Sequence, residues 1–145
     1  CEAWDSAGMT DSTSNIKPGM IGIAELTVGD EHTAPRVGSG KIRVLATPVM
    51  INLIEAAALK AAEHLLPPGH QSLGTVLSIK HYAATPVGMK IKATAEVTAV
   101  EGRTILFNVF AEDEKEPIGD GVHERVVVNV ERFDKRVQRK ISAAV

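Results

Sequence analysis

Three polar residues in this chain are set among apolar neighbours and have complementary chemistry: Thr47, Glu55 and His81. Thr47 opens a long apolar run, with Pro48 directly after it, and Glu55 lies further along the same run. His81 closes a later alternating segment, on that segment's apolar side. A carboxylate can serve as base or nucleophile, and an imidazole as acid or base near neutral pH. A hydroxyl at a helix start stands beside free N–H groups and a partial positive charge. That setting suits an acyl oxygen that becomes negative during attack. Together the three form a set for acyl transfer or ester hydrolysis. Each also has a plainer role: Thr47 as a helix N-cap, Glu55 as a solvated edge residue, and His81 as a hydrogen-bonded strand-end histidine.

The element that must carry two of them is Thr47–Leu66, TPVMINLIEAAALKAAEHLL. Thr47 is a good N-cap, Pro48 fits the first helical position, and Pro67-Pro68-Gly69 stops the helix. Apolar side chains surround most of this cylinder, as in a helix buried in a core. Asn52, Lys60, Glu63 and His64 form its one polar side, with Glu55 at the margin. A first strand is expected within residues 18–29, followed by a loop over Asp30–Lys41 that is rich in turn formers. The GSGK at 38–41 lacks the phosphate-loop spacing and is not read as one.

After Gly69 the pattern has period two. Leu73, Thr75, Leu77, Ile79 and His81 share one face of a strand, with Gly74, Val76, Ser78 and Lys80 on the other. Ile91, Ala93, Ala95, Val97 and Ala99 form the inward face of the next strand. Ile105, Phe107, Val109 and Ala111 follow, and Ile118–Val130 is the last long strand, with His123, Arg125, Val127 and Asn129 on one face. His123 and Arg125 are read as a solvated face. Sequential strands with short turns predict a meander. One apolar helix against one sheet is a two-layer α+β domain, here an antiparallel sheet wrapped around one long central helix, the hotdog arrangement. Residues 17–131 make up this domain, between a flexible lead over 1–16 and a basic tail over 132–145.

Composition narrows the function. The chain has 145 residues, enough for one domain with a real core, and a formal net charge of −2. Neither a basic stripe with interleaved aromatics nor an apolar run of membrane-spanning length is present, so neither nucleic acid nor a membrane is an expected partner. Cys1 is the only cysteine and is read as a truncated start, with Met9 as a possible natural one. No signal peptide is visible and the expected compartment is the cytoplasm. His32, His64 and His70 have no metal-ligand spacing, so no metal is expected.

The pieces Leu45–Met50 (LATPVM), Leu53–Glu55 (LIE), Ser72–Thr75 (SLGT), His81–Gly88 (HYAATPVG) and Ile118–Arg125 (IGDGVHER) resemble the hotdog-fold acyl-CoA thioesterases of the fluoroacetyl-CoA thioesterase type. The similarity runs from about Lys17 to Lys140, in order and spacing. The resemblance implies that Thr47, Glu55 and His81 are the catalytic set, and that Gly74 and Arg125 help hold the substrate. It also implies a homodimer or dimer of dimers with the site between subunits. CoA would be part of the substrate, and no other cofactor is expected. The edge strand after Gly69 would be protected by subunit pairing. One departure is plain: the family's fluoroacetyl-specific enzyme carries an aromatic-rich lid before the Ala-Thr motif, yet Asp30–Ala46 has no Phe, Tyr or Trp. A broader small acyl group is therefore expected. The rival functions are a non-catalytic acyl-CoA sensor using the same groove and, last, a hydratase, whose Asp–His pair is not seen.

Overall fold

The computed structural model describes residues 12–143; Cys1, Met9 and most of the expected lead lie outside them. Strand β1 (Ile21–Thr27) is followed by a 3-10 turn at Asp30–His32 and a short helix α1 (Ala34–Val37), where a loop was expected. Helix α2 (Thr47–Ala62) runs into a 3-10 turn at Glu63–Leu65. Strands β2 (His70–His81), β3 (Lys90–Glu101), β4 (Thr104–Asp113) and β5 (Pro117–Asn129) complete the sheet, and helix α3 (Val130–Ala143) ends the chain. The basic tail is thus helical from its first residue. At the other end, Ile16 is buried in the core and the Thr13 hydroxyl donates to Gly102 O at 2.8 Å, so the last part of the lead is fixed to the β3–β4 turn.

The sheet is antiparallel throughout, in the order β1-β3-β4-β5-β2. The expected meander holds for β3, β4 and β5 only. Strand β2 leaves α2 on the far side and pairs with β5, so β2 and β1 are the two edges. The reason lies in the connection: α2 crosses the sheet before β2 begins, which places β2 away from β3, its neighbour in sequence.

Small residues let the helix lie close. Ala57, Ala58, Ala61 and Ala62 of α2 are buried against a sheet face that offers Ala24, Ala93 and Ala95. Gly22 is the tightest point: a Cβ there would run into Ala57 O and Ala61 N. Met50 and Ile54 continue the buried stripe toward the start of α2.

Of the sheet's three register shifts, those in β2 and β3 bear most on which side chains face the helix. The register shifts between Gly74 and Val76 in β2, and between Val97 and Ala99 in β3. Each inserts one extra residue, Thr75 or Thr98, and reverses the alternation beyond it. Ser72 and Gly74 therefore face α2, then Leu77, Ile79 and His81 do; Leu73 and Thr75 do not, contrary to the simple period. In β3 the same device turns Ala99 outward and brings Val100 opposite the buried Ile105.

Candidate active site

At the start of α2 the Thr47 hydroxyl lies 2.7 Å from His81 Nδ1. Thr47 does not cap the helix. Ala46 is the capping position, no side chain bonds the first turn, and Pro48 occupies the start of the helix. The hydroxyl is thereby left for the imidazole. The first turn also offers fewer free amides than a helix start usually does. Pro48 has no N–H, and the Val49 and Met50 amides donate to Ala46 O at 3.1 and 3.2 Å. The polar donors at this end are those of Thr47 itself.

The pair is held by its flanks. Leu45 N–H donates to Thr85 O, tying the residues before α2 to the segment after β2. Thr85 is fully buried and its hydroxyl donates to Asp113 Oδ2 at 2.8 Å. Tyr82 N–H donates to Ile118 O, holding the end of β2. A cavity of about 360 Å³ opens over the pair, lined by Lys41, Ile42, Val44, Thr47, His81 and Tyr82. Ile42 is 75% exposed on its rim, in the stretch without aromatic residues.

Burial lowers the His81 pKa below its ordinary 6.5. The Ala83 backbone opposes part of this shift, yet His81 Nε2 is buried with no hydrogen-bond partner among the described residues. The imidazole is therefore neutral near pH 7, as a general base must be.

Glu55 lies elsewhere in the same chain. It is eight residues further along α2, a rise of about 12 Å. Its carboxylate meets Gly74 and Arg125, with Arg125 Nη1 3.4 Å from Glu55 Oε2. A side chain at Gly74 would displace the carboxylate: a Cβ would stand 2.5 Å from Glu55 Oε2 and 3.1 Å from His123 Cε1. From Gly74 to His81 is seven residues of β2, or roughly 20 Å. One chain thus brings Thr47 and His81 together, and separately Glu55, Gly74 and Arg125.

His123 and Arg125 are not solvated. They are 0% and 6% exposed, on the face of β5 that meets α2. His123 Nδ1–H donates to Val76 O at 2.7 Å and Nε2 accepts from Arg125 Nη1 at 3.2 Å. A carbonyl can only accept and a guanidinium can only donate, so both contacts require this neutral tautomer. Burial chiefly, with the Arg125 charge in addition, holds the His123 pKa below 6.5. The ring also stacks on Phe107, with centroids 5.7 Å apart. Sequence reasoning missed Ser72, which accepts from Arg125 on its other side, and Glu63, which accepts from Ser72. Their signal was the SLGT segment itself, in which Ser72 shares the inward face with Gly74 once the bulge is known. Among the described residues, no group of three or more His, Cys, Asp or Glu side chains could hold a metal ion.

The sequence model of the fluoroacetyl-CoA-specific thioesterase family matches residues 28–131. The chain belongs to this family. Among curated proteins, the fluoroacetyl-CoA thioesterase of Streptantibioticus cattleyicolor is 43% identical over 100 residues, which span 69% of this chain and 72% of that protein. A solved structure of the fluoroacetyl-CoA thioesterase FlK is 34% identical, with a TM-score of 0.82, covering 87% of this chain and 98% of that one. A Thermus thermophilus thioesterase-superfamily member is 26% identical, with a TM-score of 0.79, covering 88% and 97%. As a member of the fluoroacetyl-CoA-specific thioesterase family, the chain has the hotdog fold and is a thioester hydrolase. No helix among the described residues is long and apolar enough to cross a membrane.

Proposed function

We propose that this thioesterase hydrolyses small acyl-CoA substrates to free acid and CoA as a homodimer, with each site shared between two chains. Thr47 and His81 come from one chain and Glu55 from the other. The observation that carries the reading is the 2.7 Å contact between the Thr47 hydroxyl and a neutral His81. Its similarity to fluoroacetyl-CoA thioesterases supports a thioester as the substrate.

The dimer reading is supported by β2. It is an edge strand of 12 residues and it exposes Leu73, Val76 and Leu77 at 39–40%. Such an edge is a template for pairing with a second strand. Suppose two copies of β2 pair antiparallel about a two-fold axis midway between Gly74 and His81. Each His81 then lies opposite the partner's Gly74, the residue that touches Glu55. The split set of one chain is completed twice in the pair, and an isologous interface generates both sites at once.

In this arrangement the Thr47 hydroxyl positions a water, and neutral His81 takes a proton from that water as its oxygen attacks. The partner's Glu55 either attacks the thioester carbonyl first, so that the C–S bond breaks and the water then cleaves the acyl-Glu55 anhydride, or assists as base while the water attacks the thioester itself. The proton held by His81 passes to the CoA thiolate, leaving free acid and CoA. The cavity over Thr47 holds the acyl group, and the absence of Phe, Tyr and Trp from Asp30–Ala46 favours small acyl groups without strict selection for fluorine.

The test is release of free thiol across a panel of acyl-CoAs. A non-catalytic sensor would bind them and release none. Subunit sharing is tested by mixing His81→Ala and Glu55→Gln proteins, each expected to keep about one-hundredth or less of wild-type turnover. A mixed dimer would contain one intact site, so activity rises on subunit exchange. Two impaired proteins that stay as impaired when mixed, with mixed dimers demonstrably present, would remove the shared site.

A further inference from the structure

We propose that Glu63 and Ser72 are positioning residues of the hydrolysis, acting together as a strut that holds Arg125 against Glu55. This rests on the reading of Glu55 as a reacting group.

The hydrogen bonds of the strut have only one possible sense. Arg125 Nε donates to Ser72 Oγ at 2.7 Å, and a guanidinium never accepts. Ser72 Oγ must therefore spend its single proton on Glu63 Oε1, at 2.5 Å. Ser72 N–H donates to the other oxygen, Glu63 Oε2, at 2.9 Å, and Arg125 Nη2 donates to Ser72 O at 3.1 Å. Both oxygens of Glu63 accept, the pattern that suits a carboxylate. Arg125 Nη1 is left pointing at Glu55 Oε2 and His123 Nε2.

The strut answers a specific electrostatic need. The Arg125 side chain is 7% exposed and its direct carboxylate partner, Glu55, is 34% exposed. A buried cation that loses its counter-charge is strongly destabilised. Glu55 loses its charge whenever it takes a proton or forms a bond to the substrate. Glu63, linked through the Ser72 hydroxyl, supplies a second negative charge that does not take part in the chemistry. Arg125 stays in place through the cycle, and so does the site to which the Glu55 carboxylate returns. Four of the five guanidinium N–H groups are committed to Ser72, Glu55 and His123, counting one each to Ser72 Oγ, Ser72 O, Glu55 and His123. Arg125 is thus built chiefly to hold protein groups.

The experiment is a double-mutant cycle on the full-length enzyme. Ser72→Ala is expected to lower kcat about tenfold, the scale of a mispositioned reacting group, with KM changed less than about twofold. Ser72→Thr keeps the hydroxyl and is expected to restore most of kcat. In a Glu55→Gln background Ser72→Ala is expected to have no further effect, because the strut acts through Glu55. The same fractional loss in both backgrounds, or a loss carried by KM, would overturn the proposal. Glu63→Gln serves the same comparison if Ser72→Ala does not fold: its amide group turns a donor toward either Ser72 N–H or Ser72 Oγ, and breaks one contact. Near-normal turnover in Glu55→Gln alone would instead remove Glu55 as a reacting group, and the strut's purpose with it.

Discussion

The two ends of α2 are built on opposite plans. At its start, Thr47 and His81 share one hydrogen bond beside an open cavity, and His81 Nε2 has no partner among the described residues. Midway along, Glu55 belongs to an interlocked set in which Arg125 bonds Glu55, His123 and Ser72, and Ser72 in turn bonds Glu63. Groups that must change protonation during a reaction need unspent hydrogen-bonding capacity, and that is what the first end retains. Groups that must hold a charge in position need every donor and acceptor matched, because an unmatched buried polar atom costs about 1–3 kcal/mol. The second region comes close to that condition, with four of the five Arg125 N–H groups committed.

The sharpest way to break this contrast is to remove the reacting groups. His81→Ala and Thr47→Ala are expected to lower turnover about 100-fold or more, the upper scale for acid–base groups. Thermal midpoints should stay close to the wild type, since neither side chain is buried in the core. A large fall in midpoint with turnover per folded molecule preserved would make the Thr47–His81 contact structural. Gly74→Ala should have the next largest effect. Its new methyl group would occupy the space of Glu55 Oε2, and kcat is expected to fall about tenfold. A crystal structure of that variant with Glu55 unmoved and turnover intact would show that the carboxylate's position is not critical.

A gentler probe is pH. Burial holds the His81 pKa below 6.5, so the ring is neutral through the physiological range. Turnover should be level near pH 7 and fall on acidification, with a midpoint under 6.5. An acid limb centred above that value would contradict a desolvated His81 acting as base.

The sequence carried much of this architecture, and its failures have physical causes. Helix α2 was readable because Pro48 and Pro67-Pro68-Gly69 bracket an apolar run, and the strands because β3 and β4 alternate. The place of β2 was not readable: adjacency in sequence favoured β3, and only the crossing of α2 sends it to β5. Thr75 and Thr98 show no sequence mark of a bulge, yet each reverses the faces beyond it. Thr47 was a fair N-cap by type, and the structure gives its hydroxyl to His81 instead. His123 and Arg125 looked solvated because charged and imidazole side chains usually are. They are buried because Val76 O, Ser72 and Glu55 match their donors and acceptors, and that matching is invisible until distant segments meet.

His123 gives the finest test, since it separates a fixed network from a titrating one. Its folded pKa is depressed, mainly by burial, below the ordinary 6.5. A base with a depressed folded pKa binds its proton more readily when unfolded. Its contribution to stability is therefore complete above about pH 6.5 and is lost as pH falls toward the folded value. Protonation would also put a hydrogen on Nε2, facing Arg125 Nη1; the Glu55 and Glu124 charges favour the protonated ring and offset this only in part. His123→Gln offers an amide that can donate to Val76 O and accept from Arg125 without titrating. The variant should be less stable at pH 7, having lost the stacking on Phe107, yet its thermal midpoint should vary less between pH 7 and pH 5 than that of the wild type. Equal pH slopes in the two proteins would mean that His123 keeps its charge state on unfolding. The tightly matched half of the molecule would then owe its acid sensitivity to its carboxylates instead.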